Sequence, residues 1–129
     1  MKSGLAMALL LALLAPGGAS AGEVIAHPSV NLSADEIRDV FLGEKQLDGN
    51  LKLVPVDNSA IQSEFLSKVL QTDAPKYAAR WTKKTFREGL APPGLKGSDA
   101  EVIAFVRSTP GAVGYVSRPW PGVKVLERF

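Results

Sequence analysis

The chain opens with one apolar block and then settles into short runs in which apolar and polar positions alternate at helical or strand spacing. Leu5 to Ala15 is the block, with Lys2 before it, Pro16-Gly17-Gly18 after it, and Ala19-Ser20-Ala21 as a small-x-small end. A basic start, an apolar middle and a small-residue cleavage site predict a secretory signal peptide over residues 1–21. The block is shorter than the ~20 residues that a membrane-spanning helix needs. A processed chain beginning at Gly22 or Glu23 is therefore expected, with residues 22–129 as one domain and no stable membrane insertion after cleavage.

Within that domain, Val24-Ile25-Ala26 predicts a first strand, ended by His27-Pro28. Ser33 and Glu36 have the spacing of a capping box, Leu32 and Ile37 that of a hydrophobic staple, and Ile37, Val40 and Phe41 share one helical face up to Gly43. Asp48-Gly49-Asn50 is a turn signal, and Leu51 to Val56 a second strand. Ile61, Phe65, Leu66, Val69 and Leu70 form the apolar stripe of a second helix, with Ser59 and Gln62, or Asn58, as its cap. A third helix is predicted from about Pro75 to Phe86, a loop over Gly89 to Gly97, and a fourth helix from Ser98 with Glu101 completing another box. Ala112 to Val116 and Val123 to Leu126 read as closing strands. The order β-α-β-α-α-α-β-β, with strand and helix alternating at the start, predicts an α/β fold with a βαβ unit and an open, partly parallel sheet covered by helices.

Composition narrows the chemistry. The 129 residues hold 15 Lys and Arg against 13 Asp and Glu, a net charge of +2, with one His and no Cys. The bases are scattered apart from Arg80-Trp81-Thr82-Lys83-Lys84, so no nucleic-acid stripe is predicted. Without Cys there are no disulfide staples, and a lone His27 falls far short of the four N or S ligands of a structural zinc site. The chain carries no Gly-x-Ser-x-Gly elbow and no Gly-rich phosphate loop. No catalytic residue, metal ligand or cofactor is assigned, and a binding role is expected rather than an enzyme. A hydrolase using an Asp or Ser of the turn described next would lack a visible base or orienter.

The segment Val54 to Phe65 leads from a strand's C-terminal end into a helix, the place where open α/β sheets bind ligands. Free amides and the positive helix end attract anions there. Asp57, Asn58, Ser59, Ala60 and Ser63 are accordingly the candidate ligand-binding residues. Two readings stay open: capping alone explains Asp, Asn and Ser at a helix start, and capping with ligand contact explains them too. Asp57 argues against an anion, because a carboxylate at the mouth repels one. Tyr77, Trp81 and Phe86 are expected to pack the third helix on the core, with Arg80, Lys83, Lys84 and Arg87 on its solvated face.

Ordered motifs run the length of the mature chain: Val30 to Gly43 ending Phe41-Leu42-Gly43, Leu53-Val54-Pro55-Val56-Asp57, Glu64-Phe65 with Val69-Leu70, Tyr77 and Trp81 with Phe86 and Gly89, Ser98 to Val102, and Pro110-Gly111-Ala112-Val113-Gly114-Tyr115-Val116. In these the chain resembles the small stand-alone proteins related to the periplasmic phosphate-binding components of ABC transporters. The resemblance implies a three-layer open mixed sheet with helices on both faces, one lobe of a type II periplasmic binding protein-like fold. It also implies a periplasmic location, a small phosphate-like anion as ligand, and a link to ABC-type transport. Two departures accompany it: the length supplies one lobe rather than two, and Asp57 to Ser63 lacks the Arg and the glycines of full-length phosphate binders. A single lobe also suits a periplasmic interaction or sensory accessory module. Its crevice would then be covered by a transporter or sensor protein, or by a second copy in a homodimer.

Overall fold

The computed structural model describes residues 21–129. The signal-peptide expectation falls outside these residues, apart from Ala21. The elements are β1 (Glu23–Ala26), α1 (Ala34–Phe41), β2 (Leu47–Asp48), β3 (Leu51–Lys52), β4 (Val54–Asn58), α2 (Gln62–Lys68), α3 (Ala74–Glu88), β5 (Gly94–Lys96), α4 (Asp99–Ser108), β6 (Ala112–Val116) and β7 (Lys124–Arg128). Five strands form a mixed sheet in the order β5-β4-β6-β1-β7, and β2 and β3 form a separate hairpin. The α/β expectation holds at this level: a mixed five-stranded sheet with four helices.

Local chemistry sets the helix ends. Ser33 caps α1, and both arms of its box form: the Glu36 N–H donates to Ser33 Oγ at 3.3 Å, and the Ser33 N–H donates to Glu36 Oε1 at 2.9 Å. Beyond the C-terminus of α1, Gly43 takes φ +77° with its α-carbon against the Trp81 ring, so a side chain would meet both strain and a clash. Asp73 caps α3, with Pro75 in the first turn and Gly89 closing it in the left-handed conformation. At α4 the box is only half formed. Ser98 Oγ accepts from the Glu101 N–H, but Glu101 Oε1 accepts from the Gly97 N–H instead of from Ser98.

Three expectations are corrected. The βαβ unit from the first strand to the second does not form: β6 lies between β1 and β4. β1 runs antiparallel to β6, whereas β4 runs parallel to β6 and to β5. The reason is burial. β1 and β6 are buried at every position, so they take adjacent interior places, with β7 closing the edge beside β1. Second, the run Leu51 to Val56 is two strands. Leu51-Lys52 turns back on Leu47-Asp48, and β4 begins where the Val54 N–H donates to Gly111 O at 2.9 Å. Gly111 at φ +85° lies so close under Lys52 O that no Cβ fits. Third, the loop after α3 contains β5, whose pairing with Val56 to Asn58 is invisible in a segment broken by Pro92-Pro93-Gly94.

Strand alternation divides the core between the two sheet faces. Val24, Ala26, Val113 and Tyr115 join α1, α2 and the buried side of α3 in one cluster. Ile25, Val56, Ala112 and Val116 join Val102, Ile103 and Val106 of α4 in another. Helices therefore cover both faces, and successive residues at the end of β4 point into different layers.

Candidate functional site

That alternation separates Asp57 from Asn58. Asn58 faces α4 and is completely buried. Its Nδ2 donates to Asp99 Oδ1 at 2.8 Å and to Tyr115 O at 3.0 Å, and its Oδ1 accepts from the Ala60 N–H at 3.0 Å. Both ends of the amide are thus used inside the protein. Asp99 also accepts from the Ser117 N–H and Oγ–H, the latter at 2.7 Å. Desolvation pushes the Asp99 carboxyl up, but the hydrogen bonds from Ser117, Asn58 and Trp120 outweigh it and hold its pKa below the usual aspartate value.

Asp57 faces α3 and is 3% exposed. Its Oδ1 accepts from the Tyr115 hydroxyl at 2.7 Å and its Oδ2 from the Tyr77 hydroxyl at 2.8 Å. Burial raises its pKa, while hydrogen bonds from Tyr115, Tyr77 and Gln62 pull the other way without cancelling the rise. Both phenols are held well above their ordinary range by burial and by the adjacent carboxylate, so they stay neutral donors. The Tyr115 ring stacks on Phe65 with centroids 3.8 Å apart, which fixes its hydroxyl under Asp57. No Lys, Arg or His lies within ion-pair distance of Asp57 among the described residues.

A cleft of about 630 Å³ opens above this carboxylate. Asp57, Gln62 and Tyr77 form its floor, Trp81, Thr85 and Phe86 one wall, and Pro92, Pro93 and Leu95 the other. Asp57 is the one charged side chain lining it. A scan against protein-family models finds no match for the chain, and a search of curated proteins finds none.

The five residues proposed from the sequence end in different surroundings. Asp57 reaches the cleft, and Asn58 is consumed as an internal clasp. Ser59 is exposed, its Oγ 3.5 Å from Gly97 O, and Ala60 and Ser63 lie on the surface beside it. The capping role expected of Ser59 or Asn58 is corrected: α2 starts at Gln62, and the residue at its N-cap, Ile61, makes no side-chain cap. Asn58 is still in the strand, and its Oδ1 is spent one turn too early, on Ala60.

Phe86 is a second correction. It is 91% exposed rather than packed on the core. Tyr77 and Trp81 are one turn apart, whereas five further residues at about 100° each carry Phe86 some 140° round the helix. The basic face of α3 is solvated at Arg80 and Lys83, but Lys84 is half-buried between Glu44 and Glu88, at 3.1 and 3.0 Å. Two further residues belong to the site: Tyr115, and Gln62, which the sequence offers only as a cap. Tyr115 carried one signal, a phenol within an otherwise fully apolar strand, since a buried hydroxyl requires a partner. His27 Nδ1 is occupied with Ser29, by the hydroxyl at 2.7 Å and the N–H at 3.1 Å. The described residues hold no cluster of three His, Asp or Glu placed for a metal ion.

Proposed function

We propose that this protein is a non-catalytic solute-binding module that works in the periplasm, built like one lobe of a type II periplasmic binding protein. Its ligand site is the cleft between α3 and β5. The observation that carries the reading is Asp57: a buried carboxylate, held by two neutral phenols, at the floor of an open cleft with apolar walls. That combination of apolar surface and a few oriented polar groups is how small-molecule sites are built. It also sits at the C-terminal end of a parallel strand pair, where open α/β sheets place their ligands. The Tyr115 and Tyr77 hydroxyls orient the carboxylate for recognition.

A second reading follows from the family resemblance: an oxyanion held at the Asp57 to Ser63 turn and passed to an ABC-type transporter. The uncapped start of α2 is the observation in its favour. Against it, α2 has only seven residues, Asn58 is fully engaged, and the adjacent cleft carries negative charge alone.

Thermal melting of the processed protein with separate panels of anionic, neutral and cationic solutes tests the proposal. A bound solute at ten times its Kd raises Tm by roughly 5–10 °C for a domain of this size. The expected result is such a rise with one class, abolished by Thr82→Trp, which fills the cleft. No rise with any panel at millimolar concentration overturns the reading, and a phosphate response that survives Thr82→Trp supports the oxyanion alternative. N-terminal sequencing of protein recovered from the periplasmic fraction is expected to begin at Gly22 or Glu23, and a cytoplasmic, uncleaved product overturns the location.

A further inference from the structure

We infer that the cleft between α3 and β5 recognises a small primary alkylammonium, with the cation on Asp57 and the apolar stem along the Trp81, Phe86 and Leu95 walls. This assignment rests on the cleft being the ligand site, and goes further by giving the ligand its charge and shape.

Three observations carry it. Asp57 is the one charged side chain lining the cleft, and it lacks an ion-pair partner among the described residues. Buried charges in proteins are ordinarily paired, so a ligand cation completes an arrangement that the chain leaves open. A carboxylate offers about four lone-pair sites; Tyr77 and Tyr115 each occupy one on a different oxygen, and Gln62 donates to a third. One site remains for an ammonium N–H. The aromatic groups are the third observation. Trp81 and Tyr77 line the cleft next to the carboxylate, and indole and phenol faces attract cations, the indole most strongly.

The outer part of the cleft specifies the rest of the ligand. Phe86 is 91% exposed and Leu95 61% exposed, on opposite walls, with Pro92 and Pro93 beside Leu95. An aliphatic stem laid between them removes apolar surface from water on both sides. The hydroxyls of Thr82 and Thr85 along the cleft both donate to backbone carbonyls, at Ala78 O and Leu90 O. The walls therefore favour a plain alkyl chain over a sugar or a peptide backbone. A carboxylate or phosphate entering the same space meets Asp57 with nothing to neutralise it.

Isothermal titration at pH 7 with pentylammonium, 1-pentanol and pentanoate decides among the charges on one stem. The expected result is measurable binding of pentylammonium, with pentanol and pentanoate at least tenfold weaker. Asp57→Asn is expected to weaken pentylammonium at least tenfold and to bring it level with pentanol. Thr82→Trp leaves the carboxylate and its phenols in place, and is expected to abolish binding of all three. This second variant keeps the test valid should Asp57→Asn fail to fold. Pentanol binding as well as pentylammonium, with both blocked by Thr82→Trp, overturns the ammonium assignment and keeps the cleft as the site. Pentylammonium binding that survives either variant overturns the assignment to this carboxylate. No binding of any stem overturns the ammonium assignment, and the wider solute panels then decide whether the cleft binds anything.

Discussion

Asp57 and Asp99 stand at the same end of the sheet, on opposite faces, with Asn58 next to one and bonded to the other. Asp99 receives charge-stabilising hydrogen bonds from a side-chain amide, a backbone N–H and a hydroxyl, and its carboxyl is held below the usual value. Asp57 receives two phenol hydroxyls, is buried more deeply, and is pushed above it. The first is a closed structural clasp that ties the end of β4 to the start of α4 and to the residue after β6. The second is an open arrangement whose charge has no ion-pair partner among the described residues and whose surroundings form a cleft. The same residue type at the same sheet end is used once for holding the fold and once at the floor of an open cleft, and the depth of burial and the kind of donor around each carboxylate separate the two.

The largest test of this contrast is Asn58→Ala. The change removes three hydrogen bonds at a fully buried position: it takes a donor from Tyr115 O and from Asp99 Oδ1, and it takes the acceptor from the Ala60 N–H. A loss of about 3 kcal/mol is expected, read by urea unfolding, since each buried group left without a partner costs roughly 1–3 kcal/mol. A loss under about 1 kcal/mol would break the view that this side is a clasp.

Next in size is the opposite pH response of the two aspartates. Because Asp99 has a lowered folded pKa, its contribution is present above the ordinary aspartate value of 3.8 and is lost as pH falls through the lowered one. Asp99→Asn is expected to cost about 1–2 kcal/mol near neutral pH. The cost should shrink on acidification. Asp57 has a raised folded pKa, so the folded state takes up a proton before the unfolded state does. Its ionisation costs stability above that raised pKa, and the cost disappears as pH falls from there towards 3.8. Relative to Asp57→Asn, the natural protein should therefore gain stability on acidification, the reverse of the Asp99 case. Unfolding curves of both variants across pH 3 to 7 check this, and slopes of the same sign would erase the distinction.

The smallest effect sharpens the ligand side. Phe86→Ala is expected to change stability by less than about 0.5 kcal/mol, because the ring is almost wholly in water. A loss above 1 kcal/mol by the same unfolding measurement would mean that Phe86 supports the fold rather than the cleft wall.

Local structure is written in short stretches of the chain. Ser33 with Glu36, Gly43, Pro75, Ser98, and the apolar spacing of Ile37, Val40 and Phe41 or Val102, Ile103 and Val106 all act over three or four residues. These signals are short-range in the sequence even where their energy comes from tertiary packing, so the helices were legible, as was β6, apolar apart from the Tyr115 hydroxyl. The candidate site was legible only as an address. Asp57 was found at the end of its strand, but Asn58 and Ser59 read as caps because any Asn or Ser before a helix does.

Packing in three dimensions set which strands became neighbours, because interior places go to the strands buried on both faces, and this put β6 between β1 and β4. It also decided the character of Asp57. The hydroxyl of Tyr115 reaches that carboxylate across 58 residues of chain, and Tyr77 across 20. A carboxyl group's pKa and its partners follow from what surrounds it in space. The β4–β6 pairing and the packing of α3 supply those surroundings, and neither leaves a periodic trace in the sequence.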